Sequence, residues 1–286
     1  MSWFQRFLLI TIFGTFVLVV IGGTVRATDS GLGCPDWPQC HGQWIPPAEK
    51  HTLIEFSHRT AASIVGVLFL GVTFFAFKDE RRDKLVFWLA FTAGIVLLWQ
   101  IILGGITVKN ELPTGIVALH LATAMTFMAL LITTTTISIA HRRKVSPIAG
   151  ASDSAFTRMA LLTAATTFVT LVLGSYISGH DASLACSGWP LCNGSLVPGG
   201  NSAVGLHYLH RLVAGLLGIL MLGTIYLAFE EERPRVLIIT SVVAGVAYLA
   251  QALVGSANIW TELAAGVVVA HLALAALLIL WWSLGR

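Results

Sequence analysis

Residues 85–108 read LVFWLAFTAGIVLLWQIILGGITV, a run of 24 residues without a single charged side chain. A helix needs about 20 apolar residues to cross the hydrocarbon core of a bilayer, so this run predicts a membrane-spanning helix. The run lacks the strict alternation of a barrel strand. Because lipid cannot satisfy backbone hydrogen-bonding groups, a helix is the remaining structure.

Seven further stretches have the same apolar character. They are Phe7–Val25, Leu53–Phe77, Thr114–Ala140, Met159–Ser178, Gly205–Phe229, Val236–Asn258 and Leu263–Leu284. The first is longer than the apolar part of a typical signal peptide and ends without a small-residue cleavage site, so we interpret it as a span. The sequence therefore predicts an all-α integral membrane protein with eight transmembrane helices. The lack of a transit-like leader favours a prokaryotic plasma membrane.

The composition excludes several classes of protein. The chain has 286 residues, of which 56% are hydrophobic and 11% are charged. Soluble domains carry about 25% charged residues, so this chain cannot cover a surface that faces water. A cytosolic enzyme, a nucleic-acid-binding protein and a disordered protein are therefore excluded.

The positive charges predict the orientation in the membrane. Of the 17 Lys and Arg residues, 12 fall at the N-terminus, at the C-terminus or in the loops that follow the even-numbered spans. They are Arg6, Lys78, Arg81, Arg82, Lys84, Arg142, Arg143, Lys144, Arg158, Arg233, Arg235 and Arg286. Because cytoplasmic loops are enriched in Lys and Arg, we expect both termini to be cytoplasmic.

The two halves of the chain share a pattern. Cys34–Cys40 (CPDWPQC) matches Cys186–Cys192 (CSGWPLC) at an offset of 152 residues, and later matches follow at an offset of 151. We interpret residues 1–144 and 159–286 as two four-helix bundles joined by a cytoplasmic linker, residues 145–158. Since each half has an even number of spans, the repeats are expected to be parallel, related by an axis along the membrane normal.

All four cysteines lie in the two predicted outer loops. The spacing favours two structural disulfides, Cys34–Cys40 and Cys186–Cys192, because disulfides persist outside the cytoplasm. A redox role for one pair is an alternative, since exposed or strained disulfides are the labile ones. A zinc site that includes His41 fits less well, because five residues separate the two cysteines of each pair.

Five of the nine histidines fall within the predicted spans, where ionisable groups are costly and usually functional. His58 and His120 occupy equivalent depths in the first half, as do His210 and His271 in the second; the fifth is His207. Two imidazoles that face each other across a bundle suit axial ligation of a haem iron. Two such pairs predict two haem sites near the extracytoplasmic face. The remaining histidines, which we expect to be solvated, are His41, His51, His141 and His180.

The two halves differ at one position beside these histidines. Glu55 stands one turn before His58 on the same helix face, and its counterpart in the second half is His207. A carboxylate beside a haem edge can act as a general base, proton shuttle or cation stabiliser, and a salt-bridged or interfacial glutamate is the alternative. Arg59 and Arg211 could contact haem propionates or extend to lipid head groups. Gln100 and Gln251 are expected to form interhelical hydrogen bonds, and Glu111 and Glu262 to lie at the membrane interface.

This set of motifs resembles the heme A synthase family, whose members oxidise the C8 methyl group of heme O to the formyl group of heme A. The resemblance extends from Gly22–Arg26 (GGTVR) and Ser30–Pro38 (SGLGCPDWP), through Glu55–Arg59 (EFSHR), to His271. It implies that His58 and His120 flank the substrate, heme O, and that His210 and His271 bind a resident heme b.

The resemblance also implies that Glu55 is the catalytic carboxylate and that Cys34 and Cys40 act as a functional pair. The oxygen inserted by this family comes from water, so electrons must leave the site. A heme O synthase and cytochrome oxidase assembly factors are expected partners, together with membrane lipid and an electron acceptor that the sequence does not identify. Two other classes share the histidines: a diheme, quinol-oxidising electron carrier of the cytochrome b type, and a transporter with proton-relaying His and Glu.

Overall fold

The computed structural model describes residues 1–144 and 154–284, and it consists of eight α-helices without a β-strand in those ranges. The helices are α1 (Trp3–Ala27), α2 (Lys50–Asp79), α3 (Lys84–Lys109), α4 (Thr114–Arg142), α5 (Ala155–Gly179), α6 (Ser202–Glu230), α7 (Arg235–Trp260) and α8 (Ala265–Leu284). Helices α1 to α7 are long and apolar enough to cross a membrane, and α8 is apolar over Ala265–Ile279. The chain is therefore a multi-pass membrane protein.

Helices α1, α3, α5 and α6 begin earlier than the apolar runs, and a polar side chain caps each of them. Asp83 accepts a hydrogen bond from the backbone N–H of Val86, and Ser154 and Asn201 cap α5 and α6 in the same way. Hydropathy marks only the apolar part of a helix, so it misses these polar first turns. Helix α4 begins at Thr114, as predicted, and helix α8 begins later than predicted, since Leu263 lies in the preceding turn with a positive φ.

The described residues form two compact units, α1–α4 and α5–α8. Within each unit the four helices form a ring, in which each helix packs against the one before and the one after, and the first packs against the last. The second and fourth helices of a unit therefore lie diagonally across its interior. Most of the predicted linker, residues 145–153, lies outside the described residues, and its last four residues belong to α5.

The first unit has its apolar core at one end of the bundle. The buried side chains of this core are Phe4, Leu8, Val65, Phe69, Val72, Ala76, Val86, Ala90, Ala93, Phe127 and Leu131. They come from the first turns of α1 and α3 and from the later turns of α2 and α4. At the same end, the Gln5 amide donates a hydrogen bond to the Ser138 hydroxyl (3.2 Å). The polar residues of the candidate site lie at the opposite end of the bundle.

The loops that follow α1 and α5 have the same backbone design. Each contains one disulfide and one isolated bridge, which pairs Cys40 with Gln43 and Cys192 with Ser195. Residues at equivalent places, such as Asp29 and Asp181 (φ 51° in both), adopt the same left-handed conformation. The two loops thus differ in their side chains more than in their course.

Candidate functional site

The four histidines at repeat-related positions lie near the starts of diagonal helices. His58 and His120 stand early in α2 and α4, close enough to interact electrostatically. His210 and His271 stand at the matching places in α6 and α8 and interact in the same way. Because the second and fourth helices face each other across each ring, the structure brings together each histidine pair that the sequence predicted.

A glycine of a neighbouring helix makes room for each of these imidazole rings. A Cβ atom added to the glycine would lie within 3.3 Å of the Cε1 atom of the ring. The four pairs are Gly22 with His58 (3.1 Å), Gly104 with His120 (3.3 Å), Gly174 with His210 (3.2 Å) and Gly255 with His271 (2.8 Å). Sequence reasoning missed these glycines as site residues, although they recur at the same offsets as the histidines.

Two glutamines reach the same histidines from α3 and α7. The side-chain nitrogen of Gln100 lies 3.2 Å from Nε2 of His120, and that of Gln251 lies 3.5 Å from Nε2 of His271. Both glutamines were expected to form interhelical hydrogen bonds, and the partner of each is a histidine of the candidate site. Outer contacts of this kind fix the orientation and the tautomer of a ligating imidazole.

Each of the four histidines has a buried Nδ1 atom without a hydrogen-bond partner among the described residues. Buried polar atoms are nearly always paired, so four unpaired ring nitrogens at equivalent places point to a ligand that binds there. Two imidazoles across a helix bundle are the donor set of a six-coordinate haem iron. Among the described residues no group of three or more His, Cys, Asp or Glu could hold a metal ion. Haem takes two ligands from the protein, and the two imidazoles of each pair fit that requirement.

Glu55 is buried beside the first histidine pair. Glu55 is 5% exposed, and its Oε1 atom accepts a hydrogen bond from Nε of Arg59 at 3.0 Å. A carboxylate removed from water is stable only when it is paired, and Arg59 supplies that pairing. Glu55 and His58 are three residues apart in α2, so their side chains project from the same face of the helix.

Arg59 also holds the disulfide loop. Its terminal nitrogens donate hydrogen bonds to the carbonyl oxygens of Cys34 (2.6 Å), Asp36 (2.6 Å) and Gln39 (2.8 Å). With the bond to Glu55, these contacts use four of the five N–H groups of the guanidinium. The predicted contact between Arg59 and a haem propionate stays a prediction, and one N–H group remains for it.

Arg211 makes the matching contacts in the second unit. It donates to the carbonyl oxygens of Cys186 (3.1 Å), Gly188 (2.7 Å) and Leu191 (3.1 Å), the equivalents of the three carbonyls that Arg59 binds. His207 takes the place of the carboxylate. Its Nδ1 atom lies 3.3 Å from the backbone nitrogen of Cys186 and 3.1 Å from the carbonyl oxygen of Ala182. The two units therefore share the arginine and differ in its side-chain neighbour.

The cysteines are paired as predicted. Cys34 is bonded to Cys40 and Cys186 to Cys192, each with a Cα–Cα distance of 4.7 Å, and all four residues are at most 1% exposed. With every cysteine of the described residues in a disulfide, no thiolate is left to bind zinc. A reductant would reach either bond only after the loop opens.

The residues expected to be peripheral are exposed, yet two histidines among them support the first loop. His41 is hydrogen-bonded to the carbonyl oxygen of Gly33 (3.0 Å), and His51 to the hydroxyl of Ser30 (3.0 Å). Glu111 and Glu262 lie in the turns after α3 and α7, where both have a positive φ. These residues belong to the turns around the site and contact neither histidine pair in any hydrogen bond of the described residues.

Comparison with known proteins gives a consistent result. A family model described as cytochrome oxidase assembly protein (COX15-CtaA) matches residues 5–53 and 48–283. The heme A synthase of Alkalihalophilus pseudofirmus is 30% identical over 266 residues, which cover 92% of this chain and 89% of the relative. That of Shouchella clausii is 31% identical over 261 residues (90% and 87%), and that of an Exiguobacterium species is 34% identical over 223 residues (76% and 71%).

Proposed function

Because the chain belongs to the cytochrome oxidase assembly family of these heme A synthases, we propose that it oxidises the C8 methyl group of heme O to the formyl group of heme A. It is then an oxidoreductase with a haem as its substrate. The observation that carries the assignment is the buried Glu55 beside only one of two otherwise matched histidine pairs. An electron carrier has no use for a carboxylate at one of its two haems.

In this proposal the first unit holds the substrate and the second holds the cofactor. His58 and His120 would flank heme O, and His210 and His271 would ligate a resident heme b. When bound, the haem irons supply the redox centres through which electrons leave. The unpaired ring nitrogens and the four glycines support both assignments.

The protein's own part in the reaction is to orient the methyl group, to accept protons and to exclude bulk water. Conversion of a methyl group and one water to a formyl group releases four electrons and four protons. Glu55 is the carboxylate available to take protons next to the first histidine pair. Arg59 holds that carboxylate in one rotamer, because its Nε–H donates to Oε1.

We also propose the topology on which this arrangement depends. All eight helices would span a prokaryotic plasma membrane as two parallel repeats, with both termini in the cytoplasm. The Lys and Arg residues at the two termini and in the loops that follow the even-numbered spans support this orientation. Both disulfide loops and all four histidines would then lie toward the extracytoplasmic face, where disulfides persist.

The proposed function implies partners of defined chemistry. Heme O is produced by a heme O synthase, and heme A is consumed by cytochrome oxidase during its assembly. We therefore propose that the enzyme receives its substrate from such a synthase and passes its product to assembly factors. The electron acceptor must be a separate redox partner, since the oxidation releases electrons that the chain itself cannot store.

The test is to express the chain in membranes supplied with heme O, purify it, and identify the extracted haems by mass spectrometry. Heme A or a hydroxylated heme O is expected from the unaltered protein and not from the Glu55→Gln variant. Heme B alone would favour the diheme electron carrier. A folded protein without haem would refute both readings of the histidine pairs and favour the transporter.

A further inference from the structure

We propose that Arg59 is the positioning residue of Glu55 and that, through it, the Cys34–Cys40 disulfide and the Glu55 carboxylate are energetically coupled. The coupling deepens the proposed function, because it explains how the carboxylate beside the substrate is held in place. The contacts that carry it, however, are independent of haem, since they join one guanidinium to one side chain and one loop.

Among the described residues, Arg59 is anchored by Glu55 and by the disulfide loop. Its side chain is 15% exposed, and the acceptors of its four hydrogen bonds are one carboxylate and three carbonyl oxygens. Hydrogen bonds from a charged donor are roughly twice as strong as neutral ones. The rotamer of Arg59 is therefore set jointly by Glu55 and by the loop.

The disulfide determines where those carbonyls point. Cys34, Asp36 and Gln39 all lie in the segment that the Cys34–Cys40 bond closes, and their carbonyl oxygens converge on the same two terminal nitrogens. The loop is also attached to the start of α2, because the Thr52 hydroxyl donates to the carbonyl oxygen of Gly33 (2.9 Å). Cleavage of the bond would release the segment, and Arg59 would lose its convergent acceptors.

The second unit contains the same arginine and the same loop, without the carboxylate. Arg211 binds the three equivalent carbonyls, so the arginine and its loop form a structural element that both units use. Only in the first unit does a carboxylate complete the element. The described contacts therefore connect a disulfide to a buried carboxylate in one unit and leave the other disulfide without such a connection.

Energetic coupling between two sites is reciprocal, so it can be measured from either end. If the loop positions Glu55, then removal of the Glu55 charge must loosen the loop and expose its disulfide. The second disulfide of the same molecule provides an internal reference. This allows a readout that requires neither haem nor enzymatic activity.

The experiment measures the rate at which each disulfide of the purified, full-length protein is reduced by a water-soluble phosphine. The S–S bond breaks, two S–H groups form with protons from water, and the phosphine is oxidised to its oxide. Free thiols are alkylated at timed intervals, and peptide mass spectrometry assigns them to Cys34 and Cys40 or to Cys186 and Cys192. The ratio of the two rates is the quantity compared between variants.

For Glu55→Gln we expect the Cys34–Cys40 bond to be reduced at least about five-fold faster, with the Cys186–Cys192 rate unchanged. The matched control is Glu80→Gln, which removes another buried, arginine-paired carboxylate of the first unit and should change neither rate. Equal acceleration of both disulfides, or no acceleration of either, would overturn the proposal.

Arg59→Lys separates positioning from simple charge. A single ammonium group cannot contact three carbonyls and a carboxylate at once. In Arg59→Lys the Cys34–Cys40 bond should therefore be reduced faster than in the unaltered protein, as in Glu55→Gln. Full protection by lysine would show that the fork of donors is unnecessary and would refute the positioning role. Because no arm of the experiment uses haem, these outcomes leave the assignment of heme A formation to be judged on its own test.

Discussion

The two units carry the same loop, the same arginine contacts, the same glycine beside each histidine and the same glutamine beside the second histidine. They differ at Glu55 and His207, which occupy one equivalent position in α2 and α6. The shared elements serve whatever both units do, which in the proposed function is to hold two imidazoles in a fixed orientation. In the proposed function, this difference marks the half that carries out chemistry beyond binding. Variants made at matched positions in both units test this division directly.

The largest effect is expected at the position where the units differ. Glu55→Gln should reduce the formation of heme A by about 100-fold or more, because the variant cannot accept protons. His207→Gln should retain most of the activity. Heme A per mole of protein, measured after extraction, checks both. A comparable loss in the two variants would mean that the position acts through the fold of each unit and not through its carboxylate.

Variants of the two histidine pairs should differ in whether they retain the b-type haem. His271→Ala should remove the resident b-type haem, since one axial ligand is lost, whereas His120→Ala should leave that haem in place. The optical spectrum of the reduced protein, together with the haem-to-protein ratio, distinguishes the two. Loss of the b-type spectrum in His120→Ala alone would reverse the assignment of the sites.

Variants of Gln100 and Gln251 test the contacts that these side chains make with the histidines. Gln251→Leu should weaken retention of the resident haem by about 10-fold, the lower end of the effect of losing such a contact. Gln100→Leu should leave it unchanged, because Gln100 contacts a histidine of the other pair. Haem loss during dilution into apomyoglobin, which captures free haem, gives the rate for each variant. Equal loss in both would show that the glutamines serve only helix packing.

A smaller effect is expected at one position where the two loops have residues of different size. Gly33 packs against the backbone of His51, and a Cβ atom there would overlap it, whereas the equivalent residue of the second loop is Ala185. Gly33→Ala should therefore destabilise the protein by about 1–3 kcal/mol. Ala185→Gly should cost less than about 1 kcal/mol. Thermal unfolding in detergent, followed by intrinsic fluorescence, compares the two, and equal shifts would contradict the close contact.

The smallest effect concerns the contact between the end of α6 and the start of α5 in the second unit. The backbone N–H of Phe156 donates to Glu231 (3.0 Å) and holds the pKa of that carboxyl below its usual value of 4.5. This contribution to stability is present above pH 4.5 and is lost as the pH falls through the lower pKa of the folded state. Glu231→Gln should therefore unfold at a slightly lower temperature than the wild type at neutral pH and match it in acid. A difference that persists in acid would exclude this cause.

Hydropathy, charge and the repeat offset predicted the helices, the histidine pairs and the disulfides, because each depends on features that recur along the chain. The contacts of Arg59 were not predictable in the same way. Its spacing from Glu55 in α2 is visible in the sequence, but the three carbonyls belong to a loop whose course depends on tertiary structure. The same holds for Gly22 and His58, whose contact depends on the rotation of α1 against α2.

The apolar core of the first unit fills the end of the bundle away from the histidines. None of the histidines belongs to this core, so the packing at that end of the first unit does not involve a bound ligand. We therefore expect synthesis of the protein and delivery of its haem to be separate events in the cell. In the proposed function, the supply of haem, and not the folding of the chain, would then set the rate of heme A formation.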